Sequence, residues 1–242
     1  MGLDADSLER LVPDELAPGD LTGGEALRIS IERYEFAARH ARPGRLLDVA
    51  CGVGYGTRLL ADRGAGGVEA FGIDLSAEAI AHARRRYADA RTSFAVADAM
   101  EFGDPAGFDT IVSIETIEHL PDPAAFVARV GRMLRPGGVL VASVPTTPSV
   151  DANPHHLHDF SERSFRRLLA PLALAERDAL VQEQPFALAS VLARREPRLR
   201  ELRRGLFAWY LGHPGSLARR VASTLRHGLR NRYLTLALQA PT

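Results

Sequence analysis

The residues best equipped for chemistry begin at Leu47-Asp48-Val49-Ala50-Cys51-Gly52-Val53-Gly54-Tyr55-Gly56. An apolar run ends in an acid, and glycines then recur at every second position. Glycine lets a backbone approach a bound molecule closely and take dihedrals that a Cβ forbids. The spacing is G-x-G-x-G followed by Thr57, whereas a dinucleotide loop uses G-x-G-x-x-G to seat a pyrophosphate on a helix N-terminus. Asp48 places negative charge beside the loop, which favours an ammonium or sulfonium group over a pyrophosphate. Two further acids follow, Asp74 and Asp98. A carboxylate at a strand end can accept from both hydroxyls of a ribose, the role open to Asp74, and one at Asp98 can accept from an adenine amine. Each alone also reads as a helix cap. Three acids at three successive strand ends read as one ligand site.

A second set of reactive residues lies further along. His119 sits in Ile117-Glu118-His119-Leu120, and Asn153-Pro154-His155-His156-Leu157-His158-Asp159-Phe160 follows. A neutral imidazole near neutral pH can take a proton from an acceptor hydroxyl, so His156 and His119 are the candidate bases. Histidines and an aspartate this close also raise a divalent cation. Neighbours such as His155 and His156 point apart, so no metal site is expected.

These residues need elements to hold them. Apolar runs at Leu46–Ala50, Val68–Asp74, Phe108–Ile114 and Val139–Val144, with a shorter run ending at Asp98, read as strands. Amphipathic segments alternate with them, at Gly54–Asp62, from Ser76 as N-cap to Tyr87, and from Asp122 as cap through Leu134, where Pro136-Gly137-Gly138 is the stop. This alternation predicts a right-handed, mostly parallel sheet with helices on both faces. Glu25–Ala41 reads as a preceding amphipathic helix and Ser161–Ala170 as a following one. Two more strands are expected in 172–182 and 233–239, for a total of seven. The expected organisation is one domain over 1–242: an N-terminal helical lid (1–44), a core (45–183), an arginine-rich helical insertion (184–230) and a last strand (231–242).

Composition excludes several chemistries. The chain has 242 residues, a formal net charge of zero and no lysine. Schiff-base enzymes, P-loop lysines and Tyr-Lys dehydrogenase pairs are therefore out. The lone Cys51 allows no internal disulfide and fits a reducing, cytoplasmic compartment. The first sixteen residues lack a basic start and an apolar core, so no secretory signal is read there, and no run reaches membrane-spanning length. From Ala193 to Thr242 there are eleven arginines against two glutamates. That is a solvated helical face or a surface for an anionic substrate.

Taken in order, DVACGVGYG, FGIDLS, VADAMEF, FDTIVSIETIEHL and LRPGGVLVASVP resemble the class I S-adenosylmethionine (SAM)-dependent methyltransferases, strongly over Leu46–Pro145 and loosely over the whole chain. The resemblance implies a Rossmann-like sheet with an antiparallel last strand and S-adenosyl-L-methionine as cofactor. It implies that Asp48, Gly52 and Gly54 hold the methionine portion, and that Asp74 binds ribose with Leu75 beside the adenine. Asp98 and Ala99 would then contact the adenine edge, and Glu115 would border the methyl group. Asn153–Ser161 resembles a segment of bacterial methyltransferases associated with sugar and glycan modification, as do Glu9–Pro13 and Glu32–Arg39, with His156 at the matching histidine. In the last of these, Arg33 and Tyr34 are placed to close over the cofactor carboxylate, against a core-facing Tyr34.

The expected reaction is methyl transfer to a hydroxyl of a sugar or glycosylated natural product. The alternatives are N-methylation of an amino sugar or other amine, and a non-catalytic SAM-binding partner subunit. The expected partner is a small molecule, with a homodimer allowed. Nucleic acid is disfavoured by the neutral net charge and by the absence of an N/D-P-P-Y/F string after the fourth strand.

Overall fold

A computed structural model describes residues 11–16, 21–185 and 202–242. Its strands are β1 (Gly44–Val49), β2 (Val68–Asp74), β3 (Thr92–Val96), β4 (Phe108–Ile114), β5 (Leu134–Pro145), β6 (Ala175–Pro185) and β7 (Arg230–Gln239). The helices are α1 (Leu21–His40), α2 (Tyr55–Arg63), α3 (Ala77–Arg86), α4 (Pro123–Met133), α5 (Glu162–Leu169), α6 (Leu206–Gly212) and α7 (Pro214–His227). The sheet order is β3-β2-β1-β4-β5-β7-β6. β1 to β5 pair in parallel, and β7 runs antiparallel between β5 and β6. This is the expected Rossmann-like sheet, with the antiparallel last strand inserted between its neighbours.

Sequence chemistry explains the boundaries. Ser76 caps α3 by accepting from the Ala79 N–H at 3.2 Å, and Asp122 caps α4 by accepting from Ala125 at 3.0 Å. Ser161 and Ser164 form a reciprocal capping box at the start of α5. Two boundaries differ from expectation. α4 stops at Met133, and the Pro136-Gly137-Gly138 stop lies inside β5, which already pairs Leu134 with Phe108. Gly137, at φ +70°, supplies the kink there, and the register shifts between Phe108 and Thr110. β3 ends at Val96, two residues short of Asp98. The chain turns at that point because the Asp98 carboxylate accepts from the Met100 N–H at 2.7 Å.

Two apolar layers sandwich the sheet. One gathers Phe126, Val130 and Phe165 against Ile111, Leu140 and Leu236. The other gathers Phe36 and Ala37 of α1 with Leu60 of α2 against Leu46 and Val141. The described part of the expected N-terminal lid, α1, is thus a wall of the core. In the insertion, 202–229 is described as α6 and α7. Residues 186–201, and Glu9 and Arg10 of the Glu9–Pro13 segment, lie outside the described residues. Among the described residues, no helix is long and apolar enough to cross a membrane.

Candidate active site

The parallel strands end along one edge of the sheet, with β1 central among them, between β2 and β4. Between β1 and α2 the backbone takes positive φ at Ala50 (57°), Gly52 (57°) and Gly54 (92°). The glycines serve different purposes. A Cβ on Gly54 would lie 2.6 Å from the Ala83 Cβ and 2.9 Å from the Phe94 ring, and one on Gly56 would lie 2.0 Å from the Tyr34 ring. Protein packing therefore requires these two. A Cβ on Gly52 would meet nothing within 4 Å. The open space of the loop is at Gly52.

Asp74, at the end of β2, closes this loop. Its Oδ2 accepts from the Gly52 N–H at 2.9 Å and its Oδ1 from the Ser76 N–H at 2.8 Å. Each carboxylate oxygen can accept a further bond, so a vicinal diol can still be gripped. Leu75 beside it is 71% exposed, and Val96 is exposed too. Together they make an apolar shelf at the strand ends. Asp98 and Ala99 lie on the turn just beyond this shelf.

Asp48 is fully buried beneath the loop. Its Oδ2 accepts from the Thr57 hydroxyl at 2.6 Å, and the Tyr34 hydroxyl lies 3.5 Å from its Oδ1. Burial pushes its carboxyl up to about 7, against the lowering effect of the bonds from Thr57 and Tyr34. Tyr34 is itself buried, pressed on Gly56 and edge-on to Tyr55. It takes the core-facing position and braces the loop from below.

The residue of α1 that reaches the sheet edge is Arg33. Its guanidinium lies 4.2 Å from the Tyr233 ring centroid, its Nε donates to Gln182 at 2.9 Å, and one terminal nitrogen is 3.7 Å from the Glu115 carboxylate. The other terminal nitrogen is buried without a hydrogen-bond partner among the described residues. A buried, unsatisfied guanidinium N–H is costly, so this atom suits an anionic group entering the site. Glu115, at φ 49°, also accepts from the Ser143 hydroxyl at 2.8 Å. Gln182, Tyr233 and Ser143 come from strands distant in sequence, and no local pattern marks them.

On the far side of Glu115, Ile117–His119 forms a single 3₁₀ turn. The loop after β5 docks on it, because the Leu157 and His158 N–H groups both donate to the Glu118 carbonyl. Asp159 holds the other arm of that loop by accepting from the Ser149 and Val150 N–H groups at 2.8 and 3.1 Å. These bonds bring the His119 and His156 rings edge to face, with centroids 4.6 Å apart. Ser149 Oγ lies 2.7 Å from His156 Nδ1. His155 and His158 do not join them. Instead the buried Glu118 brings a carboxylate, so that donor atoms of Glu118, His119 and His156 lie within 4.8 Å of one another. A compact three-donor cluster therefore does exist, assembled across two loops rather than from sequence neighbours. Glu118 carried no sequence signal beyond its place in the same string.

The arrangement offers a diol-sized carboxylate at Asp74 beside an apolar shelf, a buried carboxylate beneath an open glycine loop, and two imidazoles side by side. A family described as a methyltransferase domain matches residues 47–142. The chain is 34% identical over 168 residues to a probable SAM-dependent methyltransferase of Mycolicibacterium smegmatis, covering 66% of this chain and 63% of that protein. It is 36% identical over 117 residues to a ubiquinone biosynthesis O-methyltransferase of Methylococcus capsulatus, covering 46% of this chain and 48% of that one. In fold it resembles the N-methyltransferase NodS from Bradyrhizobium japonicum in complex with S-adenosyl-L-homocysteine, with a TM-score of 0.57 and 18% identity over 90% of this chain and 87% of that one.

Over residues 47–142 the chain resembles the SAM-dependent methyltransferases.

The Mycolicibacterium relative is described as S-adenosylmethionine-dependent, and NodS holds S-adenosyl-L-homocysteine. The chain spans about half to just under two thirds of the length of the Mycolicibacterium and Methylococcus relatives.

Proposed function

We propose that this methyltransferase moves a methyl group from S-adenosyl-L-methionine to a hydroxyl of a small molecule, with a sugar or glycosylated metabolite as the acceptor class. The observation that carries this reading is the His119–His156 pair, held beyond β4 by the loop after β5 and lying past Glu115 from the glycine loop. A hydroxyl acceptor must lose its proton as it attacks, whereas a neutral amine need not, so a histidine pair is the feature that favours oxygen.

When bound, the cofactor supplies an activated methyl on a sulfonium. The chain's own residues then have three tasks. Asp74 accepts from the ribose hydroxyls, with Leu75 against the adenine and Asp98 and Ala99 at its edge. Gly52 and Gly54 shape the path of the methionine portion above Asp48, on a loop braced from below by Tyr34, and Arg33 meets its carboxylate, supported by Glu115 and Tyr233. His156 takes the acceptor proton. Ser149 Oγ at 2.7 Å from Nδ1 holds its ring, and His119 packs against it edge to face. Holding the nucleophile in line at near-attack distance supplies most of the remaining rate enhancement.

The test is a His156→Ala variant assayed with a panel of hydroxy and amino sugars. Loss of turnover with S-adenosylhomocysteine affinity intact supports the reading. Unchanged turnover moves the base to His119, and turnover on amino sugars alone replaces the acceptor atom by nitrogen. No turnover with any acceptor would favour a SAM-binding partner subunit.

The cluster of Glu118, His119 and His156 favours a second reading. Two imidazoles and a carboxylate suit a divalent transition metal, which would lower the pKa of an acceptor hydroxyl in place of a base. Activity lost to EDTA and restored by a divalent cation would select it over general-base catalysis.

A further inference from the structure

The helix α7 is built inside out. Its less exposed positions are Ser216, Arg220, Ser223, Thr224 and His227, which recur at helical spacing and form the face turned toward the body. The stripe that turns away beside it is Leu217, Val221 and Leu225 at i, i+4 and i+8, all exposed, with Leu225 at 84%. A helix of a soluble domain normally buries its apolar stripe. On α6, Phe207 and Leu211 repeat the pattern one turn apart, at 80% and 73% exposure, and Leu229 adds another exposed leucine after α7. Six of the ten large apolar residues exposed among the described residues fall within 207–229.

The charge around this face has one sign. Residues 202–242 contain seven arginines and no aspartate or glutamate. Arg204, Arg219 and Arg226 are exposed beside the apolar stripes. Arg219 donates to the Ser216 hydroxyl at 2.8 Å on its own helix and makes a long pair to Asp159 at 3.6 Å. A two-fold pairing of this face with a second copy would set three exposed arginines against three, with Asp159 the acid beside them. Apolar side chains rimmed by arginine are what a helix lying in an anionic lipid interface presents.

We propose that the α6–α7 face docks on the surface of a membrane carrying anionic headgroups. Phe207, Leu211, Val221 and Leu225 enter the acyl boundary while Arg204, Arg219 and Arg226 stay with the headgroups. Nothing crosses the bilayer. The docked face is joined to the acceptor loop, since Tyr210 of α6 and Arg220 of α7 both bond Asp151. The proposal holds whichever acceptor atom is methylated, because it depends on the outward face of the helices and not on the histidines.

The experiment uses the full chain without substrate. Trp209 is the only tryptophan and is half-buried on α6, on the side away from Phe207 and Leu211, so its fluorescence follows the helix as the docked face enters the lipid, and pelleting measures docking itself. Vesicles of phosphatidylglycerol and phosphatidylcholine, mixed or the latter alone, are titrated and pelleted. The expected result is a blue shift and co-sedimentation with the anionic vesicles only, weakened by high salt. Each arginine near an anionic surface is worth about fivefold in partitioning, so Arg226→Glu should lower binding at least fivefold, and Leu225→Asp at least tenfold. Both positions are exposed, and unchanged circular dichroism would verify the fold. Absence of binding to anionic vesicles overturns the proposal, as does equal binding to neutral ones. A concentration-dependent dimer abolished by Leu225→Asp, without vesicle binding, would assign the face to a second copy instead.

Discussion

Asp151 and Arg220 form an ion pair that fastens α7 to the loop bearing His156. The Asp151 side chain is buried, and it receives the Arg220 Nε at 2.7 Å, a second Arg220 nitrogen and the Tyr210 hydroxyl. Arg220 also donates to the Pro148 carbonyl, and Arg203 to the carbonyls of Val150 and Asp151. Among the described arginines of this insertion, Arg203 and Arg220 hold the acceptor loop, Arg230 pairs with Glu183, and Arg204, Arg219 and Arg226 are exposed.

Burial disfavours the charged form of Asp151, but Arg220 and Tyr210 outweigh it and hold the carboxyl below its ordinary value. A depressed carboxylate contributes stability above its unfolded pKa and loses it as pH falls through the folded value. Asp151→Asn should therefore cost about 1–3 kcal/mol near neutral pH, less than a fully buried pair because Arg220 keeps contact with water. The gap in Tm between parent and variant should close as pH falls below the ordinary aspartate range of about 3.9. Turnover should fall, because the loop loses its anchor, while affinity for S-adenosylhomocysteine stays within about twofold, a separation expected of sites with no shared partners. Parallel thermal melts and binding titrations check both.

Asp48 gives the opposite pH dependence. Its carboxyl is raised to about 7 by burial, so the ligand-free fold loses stability as pH rises from the ordinary aspartate range through that value. A cationic ligand prefers the ionised form. Affinity for S-adenosylmethionine should tighten roughly tenfold from pH 6 to pH 8, following ionisation of one group, with protons released on binding. Asp48→Asn should flatten the profile. Calorimetry in buffers of different ionisation enthalpy measures the proton count, and an unchanged profile in the variant would remove Asp48 from cofactor recognition.

The glycine loop offers a contrast between two alanine substitutions. Gly54→Ala adds a Cβ 2.6 Å from another Cβ, at φ +92°. It should destabilise by about 2–4 kcal/mol through overpacking and backbone strain. Gly52→Ala meets open space, so only the left-handed backbone resists it, at about 1 kcal/mol. Yet Gly52→Ala should weaken cofactor binding at least as much, because the new methyl enters the space left for the ligand. Urea denaturation and calorimetry on the same two proteins separate the effects.

Asp74→Ala removes both the diol acceptor and the partner of two backbone N–H groups. Affinity should drop at least about 30-fold, the equivalent of two charge-assisted bonds of about 1 kcal/mol or more each. The melting temperature should fall too, since the Gly52 and Ser76 amides lose their acceptor. Near-parental affinity would falsify the ribose assignment.

Much of this protein is written locally. The strand runs, the caps at Ser76, Asp122 and Ser161 and the G-x-G-x-G string depend on periodicity and short-range bonding, so the sequence alone determined the sheet and the place of its cofactor loop. The exceptions are local preferences overridden by pairing. Pro136-Gly137-Gly138 ends helices in isolation, but Leu134 gains a strand partner in Phe108, and β5 absorbs the turn. What depends on distant segments was decided only by the tertiary structure. Arg33 faces Glu115 because β6 and β7 bring Gln182 and Tyr233 over α1, and His119 meets His156 because a loop from beyond β5 donates to the Glu118 carbonyl. The same holds for the inside-out face of α7. Its apolar spacing is visible in the sequence, but spacing cannot say which side is covered, and here the body takes Arg220 and leaves Leu225 outside.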